Sequence, residues 1–167
     1  MTVPPDDFRA LLRRQAATVT VVTAAGSPPV GFTATSFTSV SLHPPLVSFC
    51  LARASSSWPT VRRAGHVAVH LLAEGQQEVA RTFATSGIDR FAEHGDWRPG
   101  PHGVPVLDGA LAWLVCRVTQ RVDAGDHAIV LAEPLVAGQR LGAPLLYHSG
   151  RYARLHADLA EASAVAA

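Results

Sequence analysis

The sequence predicts a mainly β domain, a closed or nearly closed barrel with a few short helices. Runs dense in β-branched and aromatic residues recur along the chain, about seven or eight of them, each bounded by Gly, Pro or Ser clusters. From Ala110 onward these runs follow one another across short turn signals, which is the pattern of consecutive antiparallel strands. Long amphipathic helices alternating with strands, the signature of an open α/β sheet, are missing, and no internal repeat is present.

Each element has its own reason. Asp6 or Asp7 would cap a short helix whose apolar face is Phe8, Leu11 and Leu12, with Arg9, Arg13 and Arg14 towards solvent. Thr18 to Thr23 reads as a strand, and Gly26-Ser27-Pro28-Pro29 turns it into a hairpin beginning again at Val30. Polar TATSFTSVSLHPP precedes the apolar strand Leu46 to Leu51. Ser55-Ser56-Ser57-Trp58-Pro59 reads as a helix start, Val67 to Leu72 as a strand and Glu74 to Phe83 as a helix. Arg90 to Pro105, rich in Gly, Pro and aromatics, reads as a long loop. ALAWLVCRVTQRV, a Gly125-Asp126 turn, HAIVLAEPLVAG and PLLYHSGRY complete the antiparallel set. The tail after Leu155 is Ala-rich, a frayed helix or disordered, and carries no chemistry.

Bulk properties exclude several function classes. A chain of 167 residues with 48% hydrophobic content fits one ordinary domain with a real core. With 14 Lys+Arg against 13 Asp+Glu, the net charge of +1 leaves no electrostatic footprint for nucleic acid. The N-terminus lacks a signal-peptide core and no apolar stretch is long enough to span a bilayer, so a cytoplasmic protein without membrane attachment is expected. Cys50 and Cys116 each lie in an apolar run and are expected to be buried free thiols. His66 and His70 would share one strand face, but no third ligand stands at a diagnostic spacing and no metal site is expected. Phosphate-loop, nucleophile-elbow and dinucleotide-fingerprint motifs are all missing.

Three segments carry candidate chemistry. Thr33, Thr35, Ser36, Thr38, Ser39 and Ser41 concentrate hydroxyls and amides suited to a polar ring edge or a phosphate, though the same composition suits a turn that satisfies its own backbone. Ser55-Ser56-Ser57 ahead of a helix offers an anion site or a plain cap, with Arg53, Arg62 and Arg63 as neighbouring charge. His127, at the head of a strand, would face a pocket or simply end a turn, and Tyr147 to Tyr152 form a polar-aromatic group that would stack on a nucleotide or close a hairpin.

Taken in order, GFTATSFTSVSLHPPLVSFCLARASSSW, GHVAVHLLAEGQQEVARTFA, DRF, GDH and PLLYHSGRY resemble the short-chain flavin reductase family, the reductase components of two-component flavin-dependent monooxygenases. The resemblance covers residues 8–155, leaving 1–7 and 156–167 as terminal extensions. It implies a split, Greek-key-like β-barrel homodimer that binds FMN or FAD, oxidises NADH or NADPH, and supplies reduced flavin to a separate monooxygenase. It also implies that Thr33, Ala34, Thr35, Ser36, Ser39 and Val40 line the flavin, and that Ala54, Ser55, Ser56, Ser57 and Trp58 reach its ribityl phosphate. Phe83, Ala84 and Phe91 would approach from the other side. His127 would be the catalytic residue that meets the nicotinamide, and Tyr147, His148, Ser149 and Gly150 would form a second pyridine-nucleotide segment. The lack of an obvious arginine pair near the Tyr147 segment favours NADH over NADPH, with Arg151 and Arg154 weighing against it. A flavin carrier, an oxygenase-like relative that keeps its flavin, and a ligand-free dimeric interaction domain are the competing readings.

Overall fold

The β-branched run that opens the barrel is broken once, at Val19. The computed structural model, which describes residues 2–156, splits it into β1 (Ala17–Thr18) and β2 (Thr20–Ala24). Val19 donates its amide to Leu145 and accepts from Leu72, so the chain changes sheets at this residue. Before it runs α1 (Pro5–Leu12). Pro4, not an aspartate, occupies the N-cap; Asp6 and Asp7 lie in the first turn, where negative charge complements the helix dipole. The boundary expected at residue 8 falls inside this helix, and Phe8, Leu11 and Leu12 stay exposed rather than packing on the domain.

After β3 (Val30–Ala34) and β4 (Thr38–Leu42) come β5 (Pro45–Ala52), the single turn α2 (Trp58–Val61) and β6 (His66–Leu71). Next are α3 (Gln77–Ala84), α4 (Arg90–His94), β7 (Trp97–Pro99) and β8 (Pro105–Leu107). The long strands β9 (Ala112–Ala124) and β10 (His127–Gln139), then β11 (Leu146–His148) and β12 (Arg151–Ala153), complete the described chain. The expected loop from Arg90 to Pro105 is therefore structured. Asp89 accepts from the amides of Phe91 and Ala92 and starts α4, and β7 pairs antiparallel with β8. The Ala-rich tail lies outside the described residues.

Seven strands form one antiparallel sheet in the order β3-β2-β6-β9-β10-β5-β4, and β1-β11-β12 form a smaller one. The large sheet curls on itself. Phe32 of β3 and Phe49 of β5 stand at opposite ends of most of its strand order, yet their ring centroids are 6.0 Å apart. Ser36, just past β3, accepts from the Cys50 amide of β5 at 2.8 Å. Val22, Phe32, Phe49, Val69, Cys116 and Val130 fill the enclosed core. A second apolar cluster, Val21, Leu72, Phe83, Phe91 and Leu107, fixes α3 and α4 to the outside of β2 and β3. Gly31 marks the close approach: a Cβ there would lie 2.6 Å from the Phe83 ring.

Two histidines singled out above are structural. His70 is fully buried; its Nδ1–H donates to the Val21 carbonyl and its Nε2 accepts from the Leu107 amide, each at 3.0 Å. Its ring thus crosslinks β2, β6 and β8. His66 stacks face to face on His102, with centroids 3.8 Å apart.

Candidate functional site

The seam where the curled sheet nearly closes holds a cleft of about 710 Å³. The end of β3 and its exit supply Thr33, Ala34, Thr35 and Ser36 to one wall, and the exit of β5 supplies Ala54, Ser55 and Ser56. The C-terminal end of α3 adds Phe83 and Ala84, and β10 adds His127. Ten of the residues nominated from the sequence thus converge on one cavity although they come from four distant segments.

His127 stands there because of strand register: the first residue of β10 pairs with Ala52, the last of β5. Its turn is fastened by Arg53, whose amide donates to the Asp126 carbonyl at 3.0 Å and whose guanidinium donates to the Gly125 carbonyl. Arg53 therefore serves the turn and does not line the cleft. His127 Nδ1–H donates to Asp126 Oδ1 at 2.6 Å, and this hydrogen bond, followed by the histidine's charge, holds the Asp126 carboxyl below its ordinary value. The contact fixes the ring so that Nε2 is the nitrogen left for a ligand.

Several hydroxyls predicted as ligand groups are already used. Thr33 donates to the Ala80 carbonyl at 2.7 Å, and Ser36 ties β3 to β5. Ser55 accepts from the Ser57 amide. Ser57 is buried, so it sits behind the cleft wall, and Trp58 packs against the barrel core. Among the described residues, the amides of Ala54 and Ser56 and the Ser56 hydroxyl make no hydrogen bond, leaving donors for an anion at this end. Ser39 and Val40 lie on β4 at the sheet edge, exposed and outside the cleft. Phe91 is buried in the second cluster, edge-on to Phe83 at 5.3 Å and to Trp97 at 5.2 Å.

Two features were missed in the sequence. Arg90 lines the cleft and is held by the Thr85 carbonyl at 2.7 Å, the Gly31 carbonyl at 2.5 Å and Ser57 Oγ at 3.3 Å. Burial pulls its pKa down from the ordinary value, yet a guanidinium stays charged, so a cation stands in the same cleft as the free amides of Ala54 and Ser56. Cys50 also lines the cleft and is only half-buried, unlike Cys116, whose thiol is pushed up to about 12 by burial.

A neighbouring chamber of about 470 Å³ joins the cleft through Thr35 and Ser36 and is lined by Tyr147, Ser149 and Gly150. His148 is exposed on the same hairpin. Helix α1 and its C-cap bring Arg9 and Arg13 to this chamber, so guanidinium groups far from Tyr147 in the sequence stand beside it in the fold. Ser149 donates its amide to the Arg13 carbonyl at 2.9 Å and thereby docks the hairpin on the end of α1. A separate cleft of about 650 Å³, whose lining includes Glu74, Glu78, His94, Asp96, Asp108 and Arg140, shares no lining residue with either.

The fold and cleft define a flavin-type split-barrel protein. The chain belongs to the flavin reductase-like domain family, whose model matches residues 12–156. It is 47% identical to an NADH:FMN oxidoreductase of Rhodococcus erythropolis over 156 residues, 89% of this chain and 80% of that protein. It is 37% identical to the reductase subunit of a flavin-dependent monooxygenase of Mycobacterium tuberculosis, covering 90% of this chain and 82% of that one. The crystal structure of a Streptomyces globisporus NADH:FAD oxidoreductase, in complex with NAD and FAD fragments, matches with a TM-score of 0.88 and 37% identity over 95% of this chain and 98% of that chain. Among the described residues no helix is long and apolar enough to cross a membrane.

Proposed function

We propose that this chain is a flavin reductase that oxidises NADH, passes hydride to FMN or FAD, and releases the reduced flavin to a separate monooxygenase. The observation that carries the reading is the convergence of Thr33 to Ser36, Ala54 to Ser56, Ala84 and His127 on one cleft. The cleft's donor set suits a flavin: free amides and Arg90 for the phosphate, and a wall of small residues for a flat ring. Flavin, when bound, accepts hydride at its N5 from C4 of the reduced nicotinamide.

The protein's part is orientation. Residues Thr33 to Ser36 and Ala84 flank the ring, while Ala54 to Ser56 with Arg90 hold the phosphate. The nicotinamide enters from the Tyr147 chamber, and His127, fixed by Asp126, hydrogen-bonds its carboxamide. Holding two rings at near-attack distance is enough for hydride transfer, and no side chain need act as a base. The working unit is a homodimer in the cytoplasm, and the reduced flavin diffuses to its oxygenase, which requires micromolar rather than irreversible flavin binding.

The test is NADH oxidation by purified protein with FMN, FAD or no flavin, run in parallel with NADPH. Flavin-dependent oxidation on the order of 10 turnovers per second is expected. Flavin binding without oxidation would make the chain a flavin holder instead. Sedimentation of the pure protein tests the dimer.

A further inference from the structure

We propose that Arg81, which lines neither the cleft nor the Tyr147 chamber, is a positioning residue for the pyridine nucleotide and acts on Tyr147 through Tyr152. The proposal rests on the reading of that chamber given above. Tyr147 on β11 stands opposite Ala17 of β1 on one side and Tyr152 of β12 on the other. Ala17 ends at its Cβ and cannot brace a phenol ring, and Tyr147 is itself 38% exposed. The aromatic ring that meets it among the described residues is Tyr152, 5.5 Å away between centroids and tilted by 65°, the edge-to-face arrangement that aromatic quadrupoles favour. Where Tyr147 stands in the chamber therefore depends on where Tyr152 stands.

Tyr152 is half-buried against the second apolar cluster, and the Arg81 guanidinium lies over its ring, 5.6 Å from the centroid. Burial raises the phenol above its ordinary value while Arg81 opposes the rise, so Tyr152 is neutral at physiological pH and keeps an intact π face for the cation. Glu78, one helical turn before Arg81, accepts from its Nη1. Both side chains of this ion pair are mostly in solvent, so it orients the guanidinium and adds little stability. Arg81 belongs to α3, whose C-terminal end brings Phe83 and Ala84 to the flavin cleft and whose Ala80 carbonyl is held by Thr33. A single helix thus carries part of the flavin wall and, through two aromatic rings, the brace of the nucleotide chamber. The two ring sites are kept in register by the same element.

The test is steady-state kinetics with NADH and FMN, paired with FMN titration, on Arg81→Ala, Arg81→Lys, Tyr152→Phe and Tyr152→Leu, with Tyr147→Ala as the reference. Arg81→Ala should raise the KM for NADH about fivefold, the scale of an exposed cation–π contact, while the FMN Kd and the turnover at saturating NADH stay within about twofold. Arg81→Lys keeps a cation over the ring and Tyr152→Phe keeps the ring, so both should stay near the wild type. Tyr152→Leu should match the alanine variant. Should that leucine variant fail to fold, Arg81→Ala still decides, because its side chain is 57% exposed and leaves the core untouched. A KM and an FMN Kd that rise together in Arg81→Ala would mean that α3 has merely loosened, and would overturn the proposal. An unchanged KM in Arg81→Ala beside a raised one in Tyr147→Ala would overturn it too, with the chamber reading left standing. An unchanged KM in Tyr147→Ala would remove the chamber reading and the proposal together.

Discussion

Arg90 Nη1 donates to the carbonyl of Gly31, 2.5 Å away and 59 residues earlier in the chain. That bond fastens the start of α4 to β3, and Nε completes the clamp at Thr85. Gly31 is buried and its carbonyl keeps only the long 3.4 Å bond from Ser57 Oγ when the guanidinium is removed, so Arg90→Ala should cost about 1–2 kcal/mol of stability. On the proposed reading flavin affinity should fall at least about tenfold, since the cation assigned to the phosphate end goes with the clamp. Arg90→Lys should recover part of the flavin affinity but not the stability, because an ammonium cannot reproduce the planar fork. Thermal melts and flavin titration check both halves, and wild-type flavin affinity in the alanine variant would remove Arg90 from the site.

On the proposed reading His127 meets the nicotinamide, so His127→Ala should raise the KM for NADH about tenfold or more while shifting the flavin Kd much less. Asp126→Ala, which frees the ring without removing it, should give a smaller rise in the same direction. The Asp126 carboxyl is held below its ordinary value, so the orienting contact is complete above the carboxylate range and is lost as pH falls through the depressed pKa. Steady-state kinetics with NADH and FMN separate the two constants. An unchanged KM and turnover in His127→Ala would end its role.

The strands were legible in the sequence because alternation and β-branching act locally: the β9–β10 hairpin follows from Gly125-Asp126 alone. The segment from Arg90 to Pro105 was not. Its helix has five residues and its two strands have three each, too short for periodicity to show, although Asp89 two residues before Phe91 was an available capping signal. Arg90 was not singled out, because its burial depends on Gly31 and Ser57, which only the folded chain brings to it. Arg9 and Arg13 at the Tyr147 chamber have the same origin. Phe91 is a different case: the structure packs its ring into the second apolar cluster, while its neighbour Arg90 lines the cleft.

Cys50 and Cys116 should separate cleanly under alkylation. Cys50 is half-buried at the cleft wall, whereas the Cys116 thiol, fully enclosed and pushed up to about 12, supplies almost no thiolate at neutral pH. Native protein treated with iodoacetamide should gain one label per chain, at Cys50, and saturating flavin should slow the reaction about tenfold by covering the thiol. Mass spectrometry of the digested protein reads both. Labelling at equal rates with and without flavin would place the flavin elsewhere.

Acid stability should turn on His70. Burial is the main cause that lowers its pKa from 6.5 to about 4, and its hydrogen bonds explain why: Nδ1–H donates to Val21, while Nε2 must stay unprotonated to accept from Leu107. The unfolded chain takes up this proton from 6.5 downward and the folded chain only near 4. The contribution of a neutral His70 is therefore fully present above pH 6.5 and drains away between 6.5 and 4, on the order of 3 kcal/mol in all. In urea titrations across that range the wild-type midpoint should fall steeply. His70→Gln should be less stable by about 2 kcal/mol at neutral pH, since an amide cannot span both partners equally well. Its midpoint should also vary less with pH, because the group that titrates is gone. Parallel pH profiles for the two proteins would show that His70 does not govern the loss, whatever the difference in their absolute stability.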